Sequence, residues 1–519
     1  MMKRKGHEQV TFKPYTQAQM MLPTSLEELI PEGHLVRVVN RVIDGLDLGP
    51  LLRRYKGGGT SSYHPRMMLK VLVYGYTQRI FSSRQIAKAL RENVNFMWLA
   101  GGNRPDFRTL NRFRGSTMKG VIDEVFAEVL GYLIDEGYVK METYFVDGTK
   151  VEANANRYRW VWGKSVRRYQ RQLRGKIEAL LEEIERVNEE EQAEYGDDDL
   201  EELGGKGSGG LDSADLASRI GQLNERLKEE PQNKPLAKAV RTLEKEYLPR
   251  LERYEAQEAT LAGRNSYAKT DEDATFMRMK EDRLQTGELK PAYNVQMGTE
   301  NQFVVGYSVH QQASDSACLI PHLESVEQLQ RLPPRVVADA GYGSEENYAY
   351  LEHGGVENFV KYPLFDREQK PSWRRQIYRV ENWPYDSEGD QYTCPEGRFL
   401  HYRRTDEVQT ANGYLKQQRV YECADCSGCP VKAHCTRGAG NRRLRVSMPL
   451  VAYREQARRN LLSEEGQRLR ARRGVEVESV FARLKHNWGF RRFMLRGLEK
   501  VKIEWGLLCI AHNMAKLAA

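Results

Sequence analysis

The stretch "YFVDGTKVEANANR" at residues 144–157 places a carboxylate, Asp147, directly behind three large strand-forming side chains. Tyr144, Phe145 and Val146 favour a pleated, half-buried surface, and an unpaired carboxylate is costly to bury there. A metal ion, a cationic group or an active site would offset that cost. The simplest alternative is a strand-end aspartate that caps a turn at Gly148. The stretch therefore predicts a strand with a buried acid whose partner has to be found elsewhere.

A second carboxylate occurs in the same setting further along the chain. In "RVVADAGYG" at residues 335–343, a short apolar strand ends at Asp339 and a Gly-Tyr-Gly segment follows it. Ser344 can cap the helix that begins next. A second carboxylate is therefore predicted at a strand end.

Length and composition limit the class of protein. The chain has 519 residues, of which 40% are hydrophobic and 29% charged, and its net charge is +8. That length exceeds what one hydrophobic core normally serves, so we expect several structural units. No apolar run reaches the roughly eighteen residues of a membrane span, and the first residues contain no signal-like apolar segment. We therefore expect a cytoplasmic protein with no membrane partner.

Charge is distributed unevenly along the chain. Residues 1–125 hold twenty Lys or Arg against ten Asp or Glu, and residues 470–502 hold ten against three. Residues 182–202 carry twelve acids and one Arg. Two basic blocks on either side of an acidic one indicate a polyanionic partner that is bound at defined places.

The N-terminal region, residues 1–125, has helical periodicity. A first helix begins near Pro65, a second near Ser82 or Ser83, and a third near Pro105 and Asp106. The apolar stripe of the first helix contains Met68, Leu69, Leu72, Val73, Tyr76 and Ile80. Such a trio is similar to a helix-turn-helix unit, whose last helix would present Arg108, Asn111 and Arg112 to DNA. The alternative for these three residues is an ordinary solvated face.

Residues 161–265 change to a heptad-like pattern. Leucines and isoleucines recur at steps of three and four, and the Gly-rich "LGGKGSGGL" at 203–211 separates two arms. This pattern predicts an inserted helical hairpin whose apolar stripes form its own seam. Residues 266–365 then return to short strands, with two neighbouring strands within 291–311 and a helix at 320–331.

A third acid lies on a helix near the C-terminus, in "RRGVEVESVFARLKHNWGF" at residues 472–490. Glu478 and Lys485 stand two turns apart beside an apolar stripe. Glu476 competes for the same role, but two residues turn a helix by about 200°, so the two acids cannot face the same way. Lys485 lies within about 20° of Glu478 on an ideal helix, which favours Glu478.

Together these residues resemble the Asp, Asp, Glu triad of the DDE transposases encoded by bacterial insertion sequences. Asp147 in "VDGTKVEANAN", Asp339 in "VVADAGYG", and Glu478 with Lys485 seven positions later carry the resemblance. The stretch "YHPRMMLKVLVYGYTQRIFSSRQIAKAL" is similar to the helical N-terminal domain of those proteins. One feature departs from the family. Its signature places Tyr and Arg seven and four residues before the Glu, where this chain has Ala471 and Gly474, although Arg472 and Arg473 lie close by.

The resemblance implies an α/β fold with an RNase H-like mixed five-stranded sheet as its catalytic core. The first Asp would lie on the first strand, the second on the fourth, and the Glu on a late helix. The expected units are a helical DNA-binding domain at 1–125, core parts at 140–160 and 266–365, the helical coiled-coil insertion at 161–265, a Cys-rich insertion at 366–450 and catalytic helices at 451–519.

The chemistry of strand cutting explains why such a site needs several acids. Activating water and stabilising a leaving oxygen is the work of two Mg²⁺ ions roughly 4 Å apart, and Mn²⁺ could replace them. Hard cations take oxygen ligands, so Asp147, Asp339 and Glu478 would hold them. The resemblance also implies double-stranded DNA as partner, both element ends and target, and a homodimer on that DNA. The DNA contacts are expected at Lys485, Arg108, Arg112, Arg491, Arg492 and Arg496.

A cysteine cluster forms a second candidate site. Five of the seven cysteines fall within residues 394–435, namely Cys394, Cys423, Cys426, Cys429 and Cys435. In a cytosolic chain such spacing indicates a structural Zn²⁺ rather than disulfides, with free thiols or an oxidised remnant as alternatives. Five candidates for four positions leave the ligand set open.

The expected activity is cleavage of DNA at the element ends and joining of those ends to target DNA. Two alternatives stay open at this point. A DNA-binding repressor or architectural protein could descend from a transposase and lack catalysis, or an RNase H-like nuclease could cut without joining.

Overall fold

The computed structural model describes residues 25–55, 62–195, 211–279, 288–410, 412–436 and 438–519. The first 24 residues of the N-terminal region and almost all of the Gly-rich segment expected at 203–211 lie outside the described residues. So does the C-terminal end of the acidic run at 182–202.

The N-terminal region is helical, as the periodicity predicts. Pro65 opens the first turn of the long central helix, and Asp106 caps a later one by accepting the Thr109 N–H at 2.7 Å. The predicted stripe from Met68 to Tyr76 is fully buried, whereas Ile80 lies beyond the helix end. The helices here are α1 (Leu35–Gly45), α2 (Gly49–Leu52), α3 (Pro65–Thr77), α4 (Ser83–Glu92), α5 (Val94–Leu99), α6 (Phe107–Arg112) and α7 (Ile122–Asp135).

The opening stretch forms β1 (Thr143–Glu152), with the bounds that the sequence predicts. An inserted unit follows it, and a two-stranded antiparallel ribbon closes its base where Val161 pairs with Tyr267. The unit contains β2 (Trp160–Trp162), α8 (Gly163–Tyr195), α9 (Ser213–Glu229), α10 (Lys234–Thr242), α11 (Leu248–Leu261) and β3 (Ser266–Ala268). It has an apolar core of its own, separate from the rest of the molecule.

The expected two-armed hairpin is wrong in one respect, because its second arm divides. The chain turns at residues 230–233, and α10 then continues through a π-helical turn, Leu243–Tyr247, into α11. Asn233 caps α10 by accepting the Leu236 N–H at 3.0 Å, and Pro235 stands in the first turn. The Pro231 and Pro235 pair is the signal that the heptad pattern concealed.

The central sheet is mixed and six-stranded. Its members after β1 are β4 (Thr275–Arg278), β5 (Leu289–Glu300), β6 (Phe303–His310), β7 (Arg335–Ala338) and β8 (Glu357–Val360), in the order β4-β5-β1-β7-β8 with β6 also paired to β5. β5 runs antiparallel to β1, β4 and β6, and β7 runs parallel to β1 and β8. The flanking helices are α12 (Leu319–Glu327) and α13 (Glu345–His353). The core strands match the RNase H-like arrangement, and β4 is an addition to the expected five.

Residues 366–450 form a small antiparallel sheet, which the sequence did not indicate. Its strand order is β13-β12-β11-β10-β9, and the pairing of β11 with β12 shifts register between Tyr402 and Arg404 on β11. The elements are α14 (Phe365–Glu368), α15 (Pro371–Arg374), β9 (Tyr385–Asp386), β10 (Gln391–Thr393), β11 (Phe399–Gln409), β12 (Leu415–Cys423), α16 (Lys432–Cys435) and β13 (Arg443–Val446).

The C-terminal helices complete the core. They are α17 (Met448–Leu462), α18 (Glu464–Arg473), α19 (Ser479–Ala482) and α20 (Leu498–Leu517), with π-helical turns at Gly474–Glu478 and Arg483–Asn487 on either side of α19. α20 is almost entirely buried and contacts α3, α7 and β6, so the N-terminal helices and the central sheet share one apolar core. Within the described part of the chain, no helix combines the length and apolar character that a membrane span requires.

Candidate active site

The two aspartates meet because of strand register. β1 and β7 are parallel neighbours in which Thr143 pairs with Arg335 and Phe145 with Val337. Continuing that register by two residues brings Asp147 opposite Asp339, just past the end of β7. Backbone N–H groups orient both carboxylates, since Gly148 donates to Asp147 and Gly341 donates to Asp339, each at 2.8 Å.

The third acid is delivered by the helix that crosses this face of the sheet. α18 contacts β7 and β8, and the π-helical turn after it contacts β1 and β5. Glu478 stands at the end of that turn with 55% of its side chain exposed. The sheet and the helix therefore bring Asp147, Asp339 and Glu478 to the same place.

One guanidinium lies among the three carboxylates. Arg473 Nη2 is 3.2 Å from Asp147 Oδ2 and 3.7 Å from Asp339 Oδ2, and Nη1 is 3.0 Å from Glu478 Oε1. Its side chain is only 17% exposed, and its Nε has no hydrogen-bond partner. A single cation thus neutralises part of the charge that three clustered acids would otherwise build up.

The helix geometry accounts for the departure from the family signature. In an α-helix, residues four apart share a face, whereas a π-helical turn bonds residues five apart. Arg473 precedes Glu478 by five positions across the π-helical turn Gly474–Glu478. Because the π-helical turn contains one extra residue, Arg473 lies on the same face as Glu478. In a regular α-helix, residue 474 would lie there. Arg472 points elsewhere and contacts Glu476 and Asn301.

Glu476 and Glu478 differ in environment. Glu476 is 3% exposed, and its carboxylate accepts the Gln302 N–H at 2.7 Å and the Arg472 Nε–H at 2.8 Å. These contacts anchor the helix to the turn between β5 and β6, away from the aspartates. Burial therefore distinguishes the two acids, because Glu476 is buried in structural contacts while Glu478 is exposed.

Lys485 is not at a surface in this structure. It is 5% exposed, and its Nζ donates to Thr149 Oγ1 at 2.9 Å and to the Lys150 carbonyl at 3.1 Å. The sequence argument assumed a straight α-helix, but the π-helical turns on either side of α19 change the register between Glu478 and Lys485. Lys485 fastens the helix to β1 here, so the DNA contact expected of it would require this helix to move.

A buried polar network behind the sheet escaped sequence reasoning. Asn294 and Gln296 on β5 both donate to Asp315 Oδ1, at 2.8 and 3.3 Å, and Tyr342 donates to Gln296. Burial, and then the charges of Asp147, Asp315 and Asp339, raise the pKa of Tyr342 well above its usual value. Scattered polar residues on a buried strand were the available signal, since β5 carries both amides on one face.

Gly148 is required by this network. A β-carbon there would lie 2.2 Å from Gln296 Nε2 and 2.9 Å from Asp315 Oδ1. The glycine that follows Asp147 therefore makes room for the Gln296 amide and the Asp315 carboxylate. It does not form the turn that the simplest alternative assumed, because β1 continues through it to Glu152.

The basic residues expected to contact DNA lie in two places. Arg108 and Arg112 are exposed on α6. The neighbouring Asn111 accepts hydrogen bonds from Ser83 and Arg114. Near the end of β1, Arg492 approaches the Ala155 carbonyl and Arg496 donates to the Asn154 carbonyl at 2.7 Å. Arg491, also exposed, donates to the Lys485 carbonyl at 3.4 Å. The second group thus lies along the strand that carries Asp147.

The five cysteines of the Cys-rich segment line one small cavity. Backbone N–H groups of Arg398 and Arg442 point at Cys394 Sγ and Cys426 Sγ, at 3.3 and 3.4 Å. Burial, and then the adjacent Cys426 thiol, raise the pKa of Cys423 to about 11. All are free thiols.

Neither cluster is arranged as a finished metal site. Among the residues that the structure describes, no three His, Cys, Asp or Glu side chains stand in an arrangement that could hold a metal ion. At the carboxylates, the Arg473 guanidinium stands between the groups that would have to converge. The donor set itself, three carboxylates from separate elements, is what hard divalent cations select.

Two family models match the chain. Residues 24–116 match the family described as a transposase domain (DUF772), and residues 393–518 match the transposase DDE domain. Together the two matches indicate an insertion-sequence DDE transposase. Searches of curated proteins and of solved structures found no significant match.

The matched ranges cover only part of the candidate site. The DDE-domain match includes β11, β12 and β13 of the small antiparallel sheet, the cysteine cluster and the helical segment with Glu478. Asp147 and Asp339 lie outside both matched ranges. Their assignment to the transposase site therefore depends on the strand register and on their contacts with Arg473.

Proposed function

We propose that this transposase cuts DNA at the ends of its own element and joins those ends to target DNA, with Asp147, Asp339 and Glu478 as the metal-binding triad. The single observation that carries the proposal is the convergence of these three acids on Arg473, at 3.2, 3.7 and 3.0 Å. These three carboxylates come from the first strand, the fourth core strand and a late helix. The fold brings them to one cation although they are far apart in sequence.

The residues present fit divalent metal ions of the Mg²⁺ type, with Mn²⁺ as a substitute. Asp147, Asp339 and Glu478 would hold the metal, which would activate water and stabilise the leaving oxygen of the cut strand. The Gly148 and Gly341 N–H groups keep the two aspartates oriented. The arrangement of Arg473 implies that its guanidinium withdraws when the acids take up metal.

DNA would be held by basic residues outside the triad. Arg491, Arg492 and Arg496 lie beside the end of β1, and Arg108 and Arg112 on α6 are a second exposed group. We assign Lys485 a role in attaching the catalytic helix, with DNA contact following only if that helix shifts. An element has two ends, so we propose a homodimer on DNA, acting in the cytoplasm where the DNA is.

One incubation distinguishes this proposal from its alternatives. Purified protein, Mg²⁺ and an end-labelled duplex taken from the DNA that borders the gene should yield cut ends and products joined to a second duplex. Cut ends without joined products would indicate a nuclease. Retarded duplex without any cutting would indicate a DNA-binding protein that lacks catalysis.

We further propose that the cysteine cluster binds one structural Zn²⁺. The N–H groups aimed at Cys394 and Cys426 suit thiolate acceptors better than thiols. A bound Zn²⁺ would deprotonate thiols whose pKa burial otherwise raises.

Metal analysis of protein purified without chelator should find about one zinc per chain. Replacing Cys426 and Cys429 with Ser should remove it, whereas Cys318→Ser, remote from the cluster, should retain it. A folded, active protein without zinc would contradict the assignment.

A further inference from the structure

The base of the inserted helical unit has an unusual charge pattern. Residues 153–177 contain eight Lys or Arg and no Asp or Glu. The rest of the unit differs, since residues 182–202 carry twelve acids and one Arg, and residues 212–258 are balanced, with nine Lys or Arg and ten Asp or Glu. A stretch of 25 residues without one acid is therefore a local property of the segment that leaves β1 and begins α8.

The basic residues of α8 lie on faces of the helix that differ in exposure. Val166, Leu173 and Ile177 are buried in the core of the inserted unit. At about 100° per residue, Lys164 and Arg171 fall on the opposite side of the helix from these three. The outward row is completed by Arg168 and Gly175.

The basic residues at the edge of this row already have acidic partners. Arg167 pairs with Glu258 at 3.0 Å and Arg174 with Glu255 at 3.9 Å, both on α11. The outward residues differ. None of Lys164, Arg168 and Arg171 forms an ion pair with a carboxylate of the described residues. Three unneutralised cations on one exposed row repel each other, which an internal structural role would not require.

Exposed aromatic side chains lie among these cations. Tyr158 is 70% exposed and Tyr169 is 44% exposed, and an arginine lies over each ring, Arg157 at 5.0 Å and Arg168 at 4.8 Å. Trp160 is 40% exposed beside them. Tyrosine hydroxyl groups and arginine side chains are both common donors to phosphate and sugar oxygens.

The basic segment is continuous with the proposed active site. It begins where β1 ends, and Asn154 Nδ2 donates to the Met494 carbonyl at 2.8 Å. Arg492 and Arg496 contact the same short connection. The basic segment is therefore continuous in sequence from the connection that the C-terminal arginines contact to the first turns of α8.

We propose that the outer face of α8, formed by Lys164, Arg168 and Arg171, binds the phosphate backbone of double-stranded DNA. The inference rests on the proposed function, because it extends the DNA path away from the triad onto the inserted unit. From Lys164 to Arg171 the helix rises about 10 Å, which matches roughly three base pairs of a duplex at 3.4 Å each. The inserted unit, to which the heptad pattern assigned no chemistry, thus becomes a DNA clamp.

The test compares two triple variants of the full-length protein. The first is Lys164→Gln with Arg168→Gln and Arg171→Gln. The matched control is Lys238→Gln with Arg241→Gln and Lys245→Gln, which removes the same charge from exposed positions on the balanced side of the same unit. Fluorescence anisotropy with a labelled 40-base-pair mixed-sequence duplex, without Mg²⁺, measures affinity from about 50 to 200 mM NaCl.

Each lost phosphate contact should reduce the slope of log K against log salt by about 0.9, so the α8 variant should lose about 2.7 and the control less than about 0.5. The single variant Arg171→Gln should lose about 0.9 and guards against a folding defect in the triple. Equal slopes for the α8 variant and the wild type, or equal losses in the control, would overturn the inference alone. A wild-type protein that fails to bind the duplex would overturn the proposed function with it.

Discussion

At the scale of single residues, the two neighbouring acids of the helix differ in their contacts. One is fixed by several structural contacts, and the other contacts a cation. Glu476 is fixed by a backbone N–H and by Arg472, whereas the Glu478 carboxylate contacts the Arg473 guanidinium. Adjacent acids of similar sequence context therefore have separate roles. The sequence favours Glu478 through Lys485, and in the structure Glu478 shares the Arg473 guanidinium with Asp147 and Asp339. Its catalytic role stays a prediction.

Glu478→Gln should reduce Mg²⁺-dependent cleavage by at least about 100-fold, because a neutral amide is a poor ligand for a hard cation. Glu476→Gln should keep cleavage within about tenfold and lower the free energy of unfolding by about 1–3 kcal/mol, since it weakens a buried charged hydrogen bond. Single-turnover cleavage and chemical denaturation of both variants measure the two effects. The reverse pattern would transfer the site to Glu476.

At the scale of elements, strand positions and the first two acids follow from the sequence, but the helix register does not. β1, β7 and their acids are set by short apolar runs that end at a carboxylate, which is a local signal. The π-helical turn Gly474–Glu478 is not encoded by periodicity. It arises because the helix must satisfy its contacts with the sheet and with the Asn301–Gln302 turn together.

Other elements show the same division. The heptad pattern predicts the helical insertion. The division of the insertion into three segments depends on two prolines within the pattern. The small sheet of residues 366–450 has strands with mainly exposed side chains, so they lack the alternation that marks a half-buried strand. The placement of Arg473 could not be predicted, because it requires three contacts distant in sequence.

Arg473 should compete with metal for the three acids. Arg473→Gln removes a cation within 4 Å of them, so the affinity of DNA-free protein for Mn²⁺ should rise about tenfold, as a 1.4 kcal/mol change would produce. Arg472→Gln is the control, because its guanidinium contacts Glu476 and Asn301 instead. Isothermal titration with Mn²⁺ makes the comparison. Unchanged or weaker binding by Arg473→Gln would contradict competition at this site.

At the scale of the whole molecule, one apolar core joins the N-terminal helices to the catalytic sheet through α20. Buried histidines lie in this core. His322 bridges the Tyr144 hydroxyl and Ser308 at 2.7 Å each, directly behind β1, and His512 contacts the Gln302 carbonyl at 2.9 Å. The two family matches, one toward each end of the chain, both contribute residues to this core.

This burial makes stability depend on pH. Burial lowers the pKa of His322 to about 3 and that of His512 to about 4, against 6.5 without burial. Below about pH 6.5 the unfolded chain binds protons that the folded protein does not, so the stability present above that pH is lost as pH falls. These two groups together should cost about 3 kcal/mol between pH 7.5 and 5.5.

Guanidinium unfolding at pH 7.5 and 5.5 measures this loss, and His322→Gln should reduce it by about half. Equal stability of the wild type at the two pH values would show that these histidines are not buried as neutral groups.

Single-turnover cleavage by Asp147→Asn and Asp339→Asn, on an end-labelled duplex from the DNA that borders the gene, tests the central assignment most directly. Each variant should lose at least about 100-fold in Mg²⁺-dependent cutting while its affinity for the duplex stays within about threefold, because positioning contacts come from basic residues elsewhere. Asp366→Asn, an exposed acid paired with Lys361, should cut like the wild type. Substantial cleavage by either triad variant would contradict a site built on Asp147, Asp339 and Glu478.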